Sequence, residues 1–152
     1  MRPPPRRAPV EPRPETVERS SVDRIAALLG IVRGPGTVVL VGEPAALATP
    51  LAARVDDLQT VAADSAVLAR ADHPNVSSIT VGRVLPFFSW QLRGAVVDGR
   101  LGEALLWESA RVISKGSRVV AVHAPEGTSE VLREVGLDVL AEEAGTVVAA
   151  RS

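Results

Sequence analysis

The segment at residues 37–65 constrains the fold more than any other part of the sequence. It opens with TVVLV at 37–41, a short run of aliphatic and β-branched residues that is typical of a strand covered on both faces. A glycine turn, a helix at 46–55 and a second strand at 58–63 follow, and Asp64 comes directly after that strand. This order predicts a parallel α/β unit, whose ligands bind at the carboxyl ends of the strands.

The same alternation of strands and helices continues to the end of the chain. Helices are predicted at 65–71, 101–113 and 128–135, after a first helix that starts at Pro14. Further strands are predicted at 76–81, 92–97, 118–123, 137–142 and 146–150, the last two as a hairpin. The sequence therefore predicts an α/β fold with a doubly wound, mostly parallel seven-stranded sheet, helices on both faces and a C-terminal antiparallel hairpin.

Local signals predict where three of the helices begin or end. Gly34-Pro35-Gly36 is expected to stop the first helix, and Lys115-Gly116 the helix at 101–113, because glycine accepts the left-handed conformation of a helix end. The hydroxyl of Thr128 or Ser129 is expected to cap the last helix.

Composition excludes several kinds of site. The 152 residues include no Cys and two isolated His, so the sequence predicts no disulfide, no thiolate catalysis and no metal site. The net charge of −1 does not favour a nucleic-acid partner. No apolar run approaches the roughly 18 residues of a membrane span, and no secretion signal is recognisable, so we expect a cytoplasmic protein.

Residues 1–14 differ from the rest of the chain. They carry four Arg, one Glu and six of the twelve Pro, with no periodic apolar face. We expect a disordered or polyproline-like tail, followed by a single domain at 15–152 that includes the N-terminal helix. The tail suits an acidic partner or, through its Pro9-x-x-Pro12 spacing, an aromatic groove. A plain solvated extension is the simpler alternative.

Four segments, at 38–47, 61–71, 82–88 and 103–120, together with the closing hairpin, resemble class I S-adenosylmethionine-dependent methyltransferases. The likeness covers about residues 16–151. It implies a Rossmann-like fold, S-adenosylmethionine as the cofactor and methyl transfer as the activity. These remain expectations from resemblance.

The glycine-rich turn of that family is only partly matched. The resemblance places Leu40 at the family's acidic position and Gly42, Pro44 and Ala46 at its glycine positions. Only Gly42 agrees, and Pro44 has a fixed φ and no N–H. Gly42 and the neighbouring Glu43 are therefore the cofactor-binding candidates in this turn.

The other cofactor candidates follow the second and third strands. Asp64 lies at about the spacing expected of a carboxylate that accepts the ribose hydroxyls, with Ser65 beside it; a helix cap is the alternative for both. After the third strand, Arg83 and Val84 match the position where the family often has an adenine-binding Asp. In the fourth strand, Arg93-Gly94 replaces a frequent Phe-Asp pair of the family.

Catalytic residues are poorly indicated. Asp98, after the fourth strand, is a weak candidate for a base, and a structural turn gives the same residue. The sequence favours a methyltransferase-like protein with an eroded cofactor site and weak or no catalysis. It is compatible both with binding of S-adenosylmethionine and with loss of that binding. An active small-molecule methyltransferase with a divergent cofactor loop is the alternative. A non-catalytic dimerisation or scaffold module, working as a homodimer or on a partner protein, is the third reading.

Overall fold

The structure is a computed structural model that describes residues 14–63 and 73–152, and its described part contains one sheet of seven strands. The strands are β1 (Thr37–Val41), β2 (Gln59–Ala63), β3 (Val76–Ile79), β4 (Leu92–Asp98), β5 (Ile113–Val122), β6 (Asp138–Glu143) and β7 (Thr146–Ala150). The α-helices are α1 (Pro14–Leu29), α2 (Ala48–Arg54), α3 (Glu103–Val112) and α4 (Thr128–Glu134). Two short 3-10 helices precede α2 and α3, at Glu43–Leu47 and Gly99–Leu101.

The predicted fold class is confirmed. The strand order is β3-β2-β1-β4-β5-β7-β6, in which β1 to β5 pair in parallel and β7 pairs antiparallel with both β5 and β6. The sheet extends from β1 in two directions. The chain first adds β2 and β3 on one side of β1 and then returns to add β4 and β5 on the other side. This reversal makes β1 and β4 the switch point of a doubly wound sheet, where ligands bind at the carboxyl ends.

Alternating residues of the central strands fill two separate cores. Val39 and Val41 of β1 belong to the core that α3 and α4 cover. Val38 and Leu40 belong to the core that α1 and α2 cover. Because side chains in a strand alternate between faces, a fully apolar run such as 38–41 is the expected composition for a strand that is buried on both faces.

Two predicted helix ends differ from the structure. α1 ends at Leu29, where Gly30 takes a φ of +70° and Ile31 donates its N–H to the carbonyl of Ala26. This is a Schellman ending, so Gly30 stops the helix before the Gly34-Pro35-Gly36 turn is reached. The Thr128 and Ser129 hydroxyls do not cap α4; they bond to Pro125 and Glu142 instead.

The prediction that Lys115-Gly116 ends a helix is also wrong. β5 begins at Ile113 directly after α3, and two steps along β4, from Leu92 to Gly94, match five along β5, from Ile113 to Arg118. Gly116 therefore lies in an irregular part of the strand, with a φ of +82°. Gly116 does adopt the positive φ that was expected of it, but it does so at a bulge in the strand and not at the end of a helix.

Other predictions fall outside the described residues or shift slightly. The predicted tail at 1–14 lies outside the described residues apart from Pro14, and the predicted helix at 65–71 lies outside them entirely, so the division into tail and domain stays a prediction. Pro14 is the first residue of α1. In the part of the chain that the structure describes, no helix is long and apolar enough to cross a membrane.

Glu108 and Arg111 on α3 fasten the connection between β3 and β4. Arg111 donates to the carbonyls of Leu85 (3.0 Å) and Phe87 (2.8 Å), and the Glu108 carboxylate accepts from the N–H of Leu85 (2.9 Å). The two side chains also pair with each other at 2.7 Å. The planar guanidinium makes this possible because it offers several N–H donors in fixed directions.

We expect Arg111→Gln to lower the free energy of unfolding by about 1–3 kcal/mol, because it removes the donor to two loop carbonyls and the cation that pairs with the half-buried Glu108 carboxylate. Urea unfolding measures the change. Arg133→Gln is the matched control, since Arg133 pairs with Glu130 at the same helical spacing but at 4.0 Å and in an exposed position. Its effect should stay below about 0.5 kcal/mol. Equal losses in the two variants would contradict the role given to Arg111.

Candidate functional site

Two clefts open at the carboxyl edge of the sheet. The strand cleft has a volume of 220 Å³. It is lined by Val41, Gly42, Ala63, Val81, Gly82, Leu101 and Leu105. The helix cleft, between α1, the 3-10 helix after β1 and the end of β5, has a volume of 420 Å³. The strand cleft lies beside the ends of β1 and β2 and is therefore the place that the sequence predicts for the cofactor.

Gly42 is the first residue of the turn after β1, and two features of its position require glycine. Its φ is +83°, in the left-handed region that other residues rarely adopt. A Cβ at this position would also lie 2.8 Å from Cδ1 of Leu101 and 2.9 Å from Cβ of Asp98. The N–H of Gly42 donates to the carbonyl of Ala63 at 3.0 Å, so this donor is used within the sheet.

An ion-pair network joins the ends of β1, β4 and β5. Arg100 donates to both carboxylate oxygens of Asp98, at 3.0 and 2.8 Å, and its Nη2 lies 2.6 Å from Oε2 of Glu43. His123 places its Nε2 3.0 Å from that same oxygen. Two carboxylates at the strand ends thus share one guanidinium and one imidazole.

The network lowers the pKa of both carboxyl groups. The hydrogen bonds from the Arg100 side chain hold the pKa of Asp98 below its ordinary value, and this outweighs the opposite effect of burial. For Glu43, the hydrogen bond from His123 lowers the pKa most, and Arg100 adds to it. Asp98 is nearly buried, with 6% of its side chain exposed, whereas Glu43 is largely exposed.

The structure brings only some of the predicted site residues together. Gly42 lines the strand cleft, and Glu43 lines the helix cleft. Asp98 accepts the backbone N–H of Arg100 at 3.0 Å, which is the geometry of a turn cap. A carboxylate that caps a turn is not thereby shown to act as a base, so the catalytic role of Asp98 stays a prediction.

The remaining predicted residues lie elsewhere. Arg83 and Val84 are exposed and are not among the residues that line the strand cleft. Asp64 and Ser65 lie outside the described residues. Their roles in cofactor binding remain predictions.

One sequence-based correspondence is wrong. Gly94 was expected to replace a polar contact to the cofactor, but it pairs with Val38 near the start of β1, away from the carboxyl edge. A Cβ on Gly94 would lie 2.9 Å from Cδ2 of Leu29 at the end of α1. Its neighbour Arg93 donates to the carbonyls of Arg33 and Pro35, so this pair serves the opposite edge of the sheet.

Arg100 is the residue that sequence reasoning missed. It follows Asp98 in a short polar turn, and the local sequence does not indicate a partner for it beyond that turn. The signal that identifies it is spatial: the ends of β1 and β4 are neighbours, because Val41 pairs with Val97. A basic residue just after β4 is therefore within reach of an acidic residue just after β1.

In the described ranges 14–63 and 73–152, no group of three or more His, Cys, Asp or Glu side chains is placed to hold a metal ion. The cation at the strand ends is a guanidinium, which neutralises the carboxylates that a metal would use.

No protein-family model and no curated protein matches the sequence. Solved structures do match the fold. A candidate S-adenosyl-L-methionine-dependent methyltransferase from Methanococcus maripaludis superposes with a TM-score of 0.69 at 14% identity, over 90% of this chain and 85% of that one. The fold is that of the class I S-adenosylmethionine-dependent methyltransferases.

Two further structures with the methyltransferase fold contain bound ligands or a partner protein. Geranyl diphosphate C-methyltransferase from Streptomyces coelicolor, solved with S-adenosyl-L-homocysteine, Mg²⁺ and geranyl diphosphate, matches with a TM-score of 0.66 at 12% identity, over 91% of this chain and 80% of that one. A candidate methyltransferase in complex with the Trm112 methyltransferase activator of Haloferax volcanii matches with a TM-score of 0.63 at 19% identity, over 84% and 75%. At these identities the likeness establishes the fold.

The lowered pKa of Asp98 makes part of the stability depend on pH. A carboxyl group whose pKa is lower in the folded state stabilises the fold above its unfolded pKa of about 3.9, and this contribution is lost as the pH falls through the lower folded value. We expect Asp98→Asn to reduce the free energy of unfolding by about 1–3 kcal/mol at neutral pH. The deficit should shrink as the pH falls below about 4.

Urea unfolding of the wild type and the variant at several pH values measures this dependence. Glu126→Gln serves as the control, because Glu126 is exposed and takes part in no ion pair that the structure describes. A deficit for Asp98→Asn that stays constant from neutral pH to pH values below the folded pKa would exclude the ion pair as its cause.

Proposed function

We propose that this chain is a methyltransferase-like protein in which the cofactor site is remodelled, so that S-adenosylmethionine binds weakly or not at all and catalysis is weak or absent. The proposal builds on the shared methyltransferase fold and on three features of the carboxyl edge. These are the lining of the strand cleft, the chemistry of the turn after β1 and the state of Asp98.

The lining of the strand cleft carries the proposal. Every described residue that lines it has an aliphatic side chain or is a glycine, so the polar groups of the described lining are backbone N–H and carbonyl groups. A cofactor with ribose hydroxyls, an adenine amine and an amino acid end needs side-chain partners as well, because polar groups that lose water without replacement cost about 1–3 kcal/mol each. The volume of 220 Å³ also falls below the roughly 300–1,000 Å³ that is usual for ligand pockets.

The turn after β1 offers little compensation from its backbone. The N–H of Gly42 is already bonded to Ala63, and Pro44 has none. Pro44 instead lies in the first turn of the 3-10 helix at 43–47, for which its fixed φ is suitable. The turn is thus built as a rigid helix start and not as a flexible cradle.

Asp98 is poorly suited to act as a base. A general base works best with a pKa near the operating pH, and the bonds from Arg100 move the pKa of Asp98 the other way. Its side chain is also nearly buried and accepts three hydrogen bonds from Arg100.

An active small-molecule methyltransferase is the alternative. In its favour, Gly42 has the positive φ that a glycine in a tight turn supplies, and Asp64 directly follows β2 in the sequence. The geranyl diphosphate enzyme shows that one protein with this fold is found with S-adenosyl-L-homocysteine. Cofactor binding therefore decides between the two functions.

Thermal-shift and calorimetric titrations with S-adenosylmethionine and S-adenosylhomocysteine test the proposal. A dissociation constant of about 10 µM would stabilise the fold by about 2.7 kcal/mol at 1 mM ligand, which is easily measured. We expect no saturable shift with either compound up to about 1 mM. A saturable shift would refute the remodelled site and support the active alternative.

If binding is observed, paired variants locate it. Asp64→Ala removes the predicted ribose acceptor and should then weaken binding by about tenfold or more. Asp56→Ala is the control, because Asp56 is an exposed carboxylate in the loop before β2. Equal affinities of Asp64→Ala and the wild type would exclude the ribose role of Asp64.

One surface favours a second function, a self-associating module. Phe88, Trp90 and Trp107 are 82%, 66% and 48% exposed, in a chain with only two Trp, two Phe and no Tyr. All three are connected to Arg111 through the backbone. The backbone N–H of Trp90 donates to the carbonyl of Arg111, Trp107 is one turn earlier on α3, and Phe88 follows Phe87, whose carbonyl accepts from Arg111. Aromatic side chains are enriched at protein interfaces, and the Trm112 complex shows that a protein of this fold can assemble with a partner.

Sedimentation velocity of the full chain tests this second function. We expect the wild type to self-associate over about 5–200 µM and Phe88→Ser to shift the equilibrium towards monomer. Val32→Ser is the matched control, because Val32 is equally exposed at 89% but lies in the loop after α1. A wild type that stays monomeric at every concentration would contradict self-association.

A further inference from the structure

The helix cleft is the larger of the two clefts and is not used by the proposed function. Its volume of 420 Å³ lies within the range of small-molecule sites. Ile25 of α1, Leu47 of the 3-10 helix and Val122 of β5 give it apolar walls on three sides. These walls belong to three different elements that pack on the same core, so the cleft is preformed.

The charges around the helix cleft are unevenly satisfied. Glu43 and His123 line it, but they already bond to each other, and Glu43 also bonds to Arg100. Arg24 lines it as well, and the structure shows no ion pair or hydrogen bond for its guanidinium with any described residue. The adjacent carboxylate of Asp23 pairs with Arg54 instead. Among the described charged groups that line the cleft, Arg24 is therefore the one without a partner.

We propose that the helix cleft binds a small amphipathic carboxylate. Its apolar body lies against Ile25, Leu47 and Val122, and its carboxylate pairs with the Arg24 guanidinium, whose planar fork matches two oxygens. A monoanion fits better than a phosphate dianion, because the nearby Glu43 carboxylate repels a second negative charge. This inference is independent of cofactor binding, since the residues that line the strand cleft are different.

Two probes that share a phenyl group and a four-carbon chain but carry opposite charges test the inference: 4-phenylbutyrate and 4-phenylbutylamine. Each is titrated into the ¹⁵N-labelled full chain and followed by amide chemical shifts. We expect 4-phenylbutyrate to shift the resonances of Leu47 and Val122 saturably, and 4-phenylbutylamine to bind at least about tenfold more weakly. Added S-adenosylhomocysteine should leave both titrations unchanged, which separates this result from the outcome for the cofactor.

Variants on α1 identify the anion-binding group. Arg24→Gln should weaken 4-phenylbutyrate by about tenfold or more, whereas Arg24→Lys, which keeps the charge, should retain part of the affinity. Arg19→Gln is the control, because Arg19 is an exposed cation on the same helix that does not line the cleft. Unchanged melting temperatures confirm that the variants remain folded.

Several results would overturn the inference. These are equal binding of the two probes, no loss in Arg24→Gln beyond that in Arg19→Gln, shifts confined to the strand cleft, or no saturable shift at about 10 mM probe.

Discussion

Burial of the central strands on both faces is the constraint on which the rest of the molecule depends. β1, β4 and β5 carry small and β-branched aliphatic side chains on alternating faces, so each strand contributes to both cores at once. Helices must then cover both faces, and the connections must run from one end of the sheet to the other. As a result, the polar residues that follow these strands collect at a single edge, where Asp98, Glu43 and His123 meet.

At that edge, the described carboxylates that follow β1 and β4 are paired within the chain. Arg100 lies between these two carboxylates, which would otherwise be available to a ligand, and His123 occupies the same oxygen of Glu43. A group that is already paired gains less from a new partner, because the existing bond must first be given up. In the part of the edge that the structure describes, Asp98 and Glu43 are thus already paired, whereas Arg24 in the helix cleft has no described partner.

The sheet was predictable from the sequence, because aliphatic runs and their spacing depend on local patterns. Helix ends were less predictable: Gly30 and Gly116 both take left-handed conformations, but only the first one ends a helix. The ion pair between Arg100 and Glu43 joins residues 57 positions apart, so no local signal contains it. The prediction for Gly94 was wrong because the resemblance assigns this residue to the fourth strand but does not say at which end of that strand it lies. The structure places it near the start of the strand, away from the carboxyl edge.

The close packing of Gly42 against Leu101 and Asp98 couples two turns that lie far apart in the sequence. A side chain at position 42 would meet Leu101 and Asp98, and Leu101 follows Arg100, which reaches back to Glu43. A larger residue in the turn after β1 therefore fits only if the turn after β4 gives up space. The tolerance of each position thus depends on the residue at the other, so positions 42 and 101 are expected to vary together and not independently.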